Sequence, residues 1–136
     1  MGGGNPFPAE MLRGVHVLVV DDDADARELV GLVLSYCGAL VTAVGSASEA
    51  LAALDRVIPD VLVSDISMPG RDGYWLVDQV RHRPPDQGGN IPAVAVTALG
   101  DRHGPDRTRA VGFEAHMRKP IDGWQLCEVI RGLLST

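Results

Sequence analysis

Cysteines and long apolar segments are both scarce in this chain of 136 residues. Two cysteines, Cys37 and Cys127, are too few for the disulfide framework of a small secreted domain. The apolar runs fall well short of the roughly 20 residues that span a bilayer, and the amino terminus, "MGGGNPFPAEMLRG", has no apolar signal-peptide core. We therefore expect a cytoplasmic protein with no membrane partner.

Positive charge is scarce as well. The chain has 12 Lys and Arg against 18 Asp and Glu, which gives a net charge of −6 and an isoelectric point near 5.0. A module that binds nucleic acid by itself normally carries a basic face, so we expect none here. The length predicts a single globular domain. Residues 1–14, rich in Gly and Pro and without periodicity, predict a flexible tail or linker before a folded domain at 15–136.

Short apolar runs alternate with helical patterns along that domain. The predicted strands are Val15–Val20, Leu40–Val44, Asp60–Ser64, Ala93–Thr97 and Glu114–Arg118. Helices are predicted to begin at Asp23, Ser46, Asp72, Pro105 and Asp122. The first, third and fourth of them are predicted to end at Gly38, Arg83 and Gly112. This alternation predicts an α/β fold, a doubly wound, flavodoxin-like parallel sheet of five strands in the order 2-1-3-4-5 with helices on both faces.

Polar side chains follow four of the predicted strands. Asp21 and Asp22 follow the first strand, Asp65 follows the third, Thr97 ends the fourth and Lys119 follows the fifth. Ligands of such sheets bind at the carboxyl ends of the strands, near the point where the strand order reverses. We therefore expect three carboxylates, one hydroxyl and one ammonium group to converge at this edge.

Three consecutive aspartates after a buried strand can be explained without a bound cation, as a helix cap whose neighbours are solvated. Clustered carboxylates are costly unless a cation neutralises them, and oxygen ligands with room for water suit Mg²⁺. We expect Asp21 and Asp22 to face a cation, and Asp23 to face away and start the first helix.

The strand-end motifs resemble those of the receiver domain of two-component response regulators. "MPGRDG" closely follows Asp65, and Pro120 follows Lys119, as in that family. The resemblance covers Val15 to about Ser135. The stretches "GGNIPAVAVTAL" and "GFEAHMRKPID" look most like receivers of hybrid sensor histidine kinases.

The resemblance implies a phosphoacceptor signalling domain that is not itself an enzyme, although it assists its own phosphotransfer and dephosphorylation. Asp65 would accept a phosphoryl group from the phosphohistidine of a sensor histidine kinase or phosphotransfer domain. Lys119 would neutralise the phosphoryl oxygens and Thr97 would hydrogen-bond them, with a downstream output protein or domain as a further partner. The implied ligands of Mg²⁺ or Mn²⁺ are Asp21, Asp22, Asp65 and the backbone carbonyl of Ser67.

His116 departs from the family pattern, which commonly has Tyr or Phe three residues before the lysine. In that family, the aromatic residue and the residue at the position of Thr97 change conformation together as a switch. A buried imidazole should be neutral, so one hypothesis is that the active state is favoured above the His116 pKa. The alternative is that His116 stays exposed and only contacts partners.

The two cysteines occupy the apolar stripes of helices predicted to share one face of the sheet. Cys37 ends the first helix and Cys127 lies early in the fifth. At about 1.5 Å rise per residue, we expect them to differ in height by roughly 10 Å, too far for a disulfide.

Other functions fit the residues less well. A phosphatase with an aspartyl nucleophile would want a second acid two residues later, where Ser67 stands, and no phosphate-binding P-loop motif occurs. The main alternative is a receiver-like module that binds partners without being phosphorylated. Such a module usually lacks one of the acids or the lysine, and none is missing here.

Overall fold

The computed structural model describes residues 10–98 and 104–135. Strands and helices alternate strictly along the chain. The strands are β1 (His16–Val20), β2 (Leu40–Val44), β3 (Val61–Asp65), β4 (Ala93–Thr97) and β5 (Ala115–Arg118). The helices are α1 (Ala24–Tyr36), α2 (Ala47–Arg56), α3 (Gly73–Arg81), α4 (Pro105–Val111) and α5 (Gly123–Leu134), with a 3₁₀ turn at Pro85–Gln87.

The five strands form one parallel sheet in the order β2-β1-β3-β4-β5, which confirms the predicted fold. Each βα unit adds a strand in the same direction, because the intervening helix returns the chain to the opposite edge. All five carboxyl ends therefore meet at one edge of the sheet. The order reverses between β1 and β3, so the residues that follow these two strands are neighbours there.

Alternating residues of the central strands feed two separate cores. Val17 and Val19 of β1 pack with α1 and α5 on one face, whereas Leu18 and Val20 pack with α2 and α3 on the other. Every residue of β3 and β4 is buried. Central parallel strands are covered on both faces, which explains their nearly continuous apolar sequences.

The predicted capping residues begin their helices. Asp23, Ser46, Asp72 and Asp122 each accept backbone N–H hydrogen bonds from the first turn that follows. The third helix ends at Arg81, two residues before the predicted stop. Within the described residues, no helix is long and apolar enough to cross a membrane.

The packed part of the chain begins earlier than residue 15. Leu12 is 1% exposed, lies in the core beneath α1 and α5, and donates its backbone N–H to the Cys37 carbonyl at 2.8 Å. Met11 and Leu12, assigned to the tail from composition, thus pack against the core of the domain. Most of the predicted tail, residues 1–9, lies outside the described residues, as do residues 99–103.

The predicted separation of the two cysteines is wrong. Cys37 and Cys127 are buried free thiols whose Sγ atoms lie 3.0 Å apart. The prediction assumed that α1 and α5 begin at the same height. Instead, Gly123 at the start of α5 packs against Val33 near the end of α1, so that the cysteines, four residues later on each helix, face each other.

Candidate functional site

Three carboxylates meet at the carboxyl edge of the sheet. Asp21 and Asp22 follow β1, and Asp65 is the last residue of β3. One carboxylate oxygen of each lies within 4.8 Å of the others. Asp21 and Asp65 are each 5% exposed, whereas Asp22 is exposed to solvent. The predicted acidic residues are therefore brought together, with one side of the cluster open.

Lys119 lies against the two buried carboxylates. Its Nζ atom is 3.1 Å from Asp21 Oδ2 and 3.0 Å from Asp65 Oδ2. The residue follows β5, two strands away from β3, and the long side chain covers that distance. One ammonium group cannot balance three carboxylates, so the cluster keeps a net negative charge.

The environment shifts the pKa values of both partners. Burial raises the pKa of Asp65 above its usual 3.8, and the nearby charge of Asp21 raises it further. The hydrogen bond and charge of Lys119, together with the Ser67 backbone N–H, offset part of this increase. Burial by itself would lower the pKa of Lys119, but its hydrogen bonds and charge interactions with Asp65 and Asp21 raise it overall. Lys119 is therefore held as a cation beside the cluster.

Gly73 allows the backbone carrying Asp65 to lie close to α3. A Cβ atom at position 73 would collide with the Asp65 carbonyl oxygen and would lie 2.9 Å from Ile66 Cα. The Gly73 N–H donates to the Ile66 carbonyl at 2.8 Å, which ties the two segments together. Asp72 caps α3 through the Trp75 N–H, and Gly70 has a φ of 77° in the preceding turn. The "MPGRDG" segment thus packs the start of α3 on the end of β3.

Local hydrogen bonds hold Asp21 at the end of β1. Its Oδ1 atom accepts the Asp23 N–H at 2.9 Å, and its carbonyl oxygen accepts a hydrogen bond from Arg27 at 2.7 Å. Asp23 points to α1 and caps it, as predicted. Only two of the three consecutive aspartates therefore belong to the cluster.

The donor set fits a hard divalent cation. Three carboxylates supply oxygen ligands, and the exposed position of Asp22 leaves room for water. Mg²⁺ binds through one or two carboxylates, several waters and a phosphate, which suits an open cluster of this composition. Ser67 lies two residues after Asp65 and is exposed. The role of its carbonyl as a ligand stays a prediction.

Thr97 and His116 lie beside each other, as their pairing in the resemblance implies. Thr97 is 1% exposed, and its Oγ1 atom is 3.3 Å from His116 Nε2. The imidazole is half-buried, and its other nitrogen, Nδ1, is 3.2 Å from Thr108 Oγ1 on α4. Sequence reasoning missed Thr108, since no motif links this helix position to the strand residue eight positions later.

Arg81, the last residue of α3, makes contacts that sequence reasoning also missed. Its guanidinium donates to the carbonyls of Gly89, Ile91 and Gly112 and forms an ion pair with Glu114 at 2.9 Å. It thereby joins the end of α3 to the segments that enter β4 and β5. These segments precede β4 and β5, which carry Thr97 and Lys119 at their opposite ends.

Comparison with known proteins places the chain among signalling domains. A family model described as the response regulator receiver domain matches residues 17–131. The uncharacterized 14.6 kDa protein in the sodA1 3′ region of Leptolyngbya boryana is 38% identical over 122 residues, which cover 90% of this chain and 92% of that protein.

Solved structures give the same result. The receiver domain of a signal transduction histidine kinase from Syntrophus aciditrophicus has a TM-score of 0.80 and 28% identity, covering 90% of this chain and 91% of that one. The chemotaxis response regulator CheY4 of Vibrio cholerae has a TM-score of 0.79 and 28% identity, covering 88% and 98%. Other relatives, among them transcriptional regulators and probable histidine kinases, are longer proteins, of which this chain spans 13% to 44%.

Proposed function

This chain belongs to the response regulator receiver family, whose members accept a phosphoryl group from a histidine kinase, and we propose that Asp65 is its phosphoacceptor. One observation carries the proposal. Asp65 ends β3 in a carboxylate cluster and contacts Lys119 at 3.0 Å. Its backbone is held close to α3, which gives the nucleophile a defined position at the open edge of the sheet.

The residues divide the chemistry among them. A carboxylate oxygen of Asp65 attacks the phosphorus of a phosphohistidine, forming a P–O bond as the P–N bond breaks. The Lys119 ammonium group, already within hydrogen-bond distance of Asp65, neutralises charge that develops on the phosphoryl oxygens. A divalent cation held by Asp21, Asp22 and Asp65 would supply further positive charge there. The Thr97 hydroxyl then donates to a phosphoryl oxygen.

The proposed partners follow from this chemistry. A sensor histidine kinase or phosphotransfer domain donates the phosphoryl group, and a downstream protein or domain reads the change in surface that follows. The chain acts as a signalling domain that is modified once, and not as a catalyst that turns over a separate substrate. We place it in the cytoplasm, and we propose Mg²⁺ or Mn²⁺ as the cation.

Intact-mass measurement with a small-molecule phosphodonor tests the proposal. Incubation with acetyl phosphate and Mg²⁺ should add one phosphoryl group to the wild type and none to Asp65→Asn. Asp86→Asn is the matched control, because Asp86 is an exposed aspartate in the 3₁₀ turn and lies outside the carboxylate cluster. It should be modified as the wild type is.

Two results would contradict the proposal. An adduct that persists in Asp65→Asn would place the phosphoryl group on another residue. The absence of any adduct in a wild type that binds Mg²⁺ would favour the alternative of a receiver-like module that binds partners without being phosphorylated.

A further inference from the structure

We propose that Thr108 is a positioning residue of the switch, and that it determines which ring nitrogen of His116 carries the hydrogen. As a result, His116 and the phosphoryl group compete for the single hydroxyl hydrogen of Thr97. The second statement rests on the proposed function, whereas the first can be tested in the unmodified protein.

The first step concerns the direction of the Thr108 hydrogen bonds. Thr108 is 1% exposed, and its Oγ1 atom lies 3.1 Å from the Pro105 carbonyl oxygen and 3.3 Å from the Gly104 carbonyl oxygen. Carbonyl oxygens only accept hydrogen bonds, so the Thr108 hydroxyl donates to this turn of α4, as threonines in helices commonly do. Its lone pairs are then left to accept.

The second step fixes the tautomer of His116. Its Nδ1 atom, 3.2 Å from Thr108 Oγ1, must donate to a hydroxyl whose hydrogen is already engaged. In a neutral imidazole only one nitrogen carries a hydrogen. Hydrogen on Nδ1 therefore leaves Nε2 as an acceptor. Since Nε2 lies 3.3 Å from Thr97 Oγ1, Thr97 is the donor of that hydrogen bond.

The third step is a conflict that phosphorylation creates. Phosphoryl oxygens are acceptors, so Thr97 can bond them as a donor only by giving up its hydrogen bond to His116. Thr97 has one hydroxyl hydrogen and is buried at the end of β4, so bulk water cannot replace the hydrogen bond that is lost. The need to break this neutral hydrogen bond should lower the affinity for the phosphoryl group roughly threefold to tenfold. Thr108 imposes this cost on the active state from a different element of the fold.

Nuclear magnetic resonance of the unmodified protein tests the tautomer. The ¹⁵N shifts of the neutral imidazole should show hydrogen on Nδ1 of His116 in the wild type, and this preference should be lost in Thr108→Val. The chain has four histidines, and the His116 signal is the one absent from His116→Phe. Thr108→Ser keeps the hydroxyl and should keep the wild-type tautomer. Hydrogen on Nε2 in the wild type would overturn the proposal.

Binding of beryllofluoride, a mimic of the phosphoryl group, tests the competition. With Mg²⁺ present, Thr108→Val and His116→Phe should each bind the mimic roughly threefold to tenfold more tightly than the wild type. The double variant should bind no more tightly than either single one, because Thr108 acts through His116. Thr42→Val is the matched control, since Thr42 contacts His16 Nε2 at 2.8 Å on strand β2 and should leave the affinity unchanged.

The outcomes separate the two proposals. A wild type that neither binds the mimic nor is phosphorylated would refute the proposed function, while the tautomer measurement still decides the part played by Thr108. A wild type that binds the mimic, with Thr108→Val and His116→Phe of unchanged affinity, would refute the competition alone. If Thr108→Val does not fold, the wild-type tautomer and the His116→Phe affinity decide.

Discussion

Replacing Gly73 with alanine should destabilise the domain and disturb the phosphorylation site together. The added methyl group would collide with the Asp65 carbonyl oxygen and would come within 2.9 Å of Ile66 Cα. Both neighbours are backbone atoms that no change of rotamer can move. Gly73 has no positive φ, so the cost arises from lack of space and not from backbone conformation. Either α3 or the end of β3 must shift.

The expected magnitude follows from a comparison with Gly132 in α5, which has no heavy atom within 4 Å of an added Cβ. Forcing a methyl group into a packed site costs about 1–3 kcal/mol. The same methyl group on an exposed helix gains up to about 1 kcal/mol through helix propensity. The free energies of unfolding of Gly73→Ala and Gly132→Ala should therefore differ by roughly 1–4 kcal/mol, with opposite signs relative to the wild type.

Urea unfolding measures this difference directly. At an m-value of about 1–3 kcal/mol/M, the two midpoints should lie roughly 1 M apart. Phosphorylation by acetyl phosphate, followed by intact mass, should be slower in Gly73→Ala and unchanged in Gly132→Ala, because only the former disturbs the contact between α3 and the backbone of Asp65.

A Gly73→Ala variant as stable as the wild type, alongside a stabilised Gly132→Ala, would refute this reasoning. It would mean that α3 can move away from β3 without loss. Reduced stability with an unchanged phosphorylation rate would retain the packing argument, but it would show that Gly73 does not position Asp65.

The remaining predictions concern the charges and thiols. Asp22→Ala should weaken Mg²⁺ binding roughly tenfold or more and slow phosphorylation with it; an unchanged Mg²⁺ titration would remove Asp22 from the site. Asp65→Asn should raise the free energy of unfolding at pH 7 in EDTA. Burial and the charge of Asp21 raise the pKa of Asp65 above 3.8 in the folded state. The folded wild type therefore loses stability as the pH rises from 3.8 through this raised pKa, because the folded state must then give up a proton that it binds more tightly than the unfolded chain does. The gain in Asp65→Asn should therefore shrink as the pH is lowered toward 3.8, and a gain independent of pH would argue against this cause. Neither Cys37 nor Cys127 should react with iodoacetamide in the folded protein at pH 8, because both are buried and burial raises the pKa of Cys127 to about 12; alkylation faster than unfolding, seen by mass, would contradict this.

The sequence by itself determined which side chains meet at the edge of the sheet. Asp21 and Asp65 follow short, valine-rich runs typical of buried strands, and Lys119 follows the weaker strand pattern of Glu114–Arg118. Helical patterns separate the three. Parallel strands joined through helices end at one edge, so the order of elements was enough to place these residues together. Capping residues such as Ser46 were equally readable, because a cap depends on the few residues that follow it.

Only the tertiary structure decided how the helices are placed against the sheet and against each other. The heights of α1 and α5 were assumed to match, yet the packing of Gly123 on Val33 brings Cys37 and Cys127 to 3.0 Å. Helix periodicity specifies which face of a helix is apolar, but not how far the helix is shifted along its axis.

The same limit hid Thr108, the collision at Gly73 and the four-way contact of Arg81. Each involves backbone or side-chain atoms from elements joined by loops, where no local pattern sets the distance. Strand direction is an all-or-none property that the order of elements determines. Contacts of about 3 Å depend instead on the packing of the whole domain, because every side chain between two elements contributes to their separation.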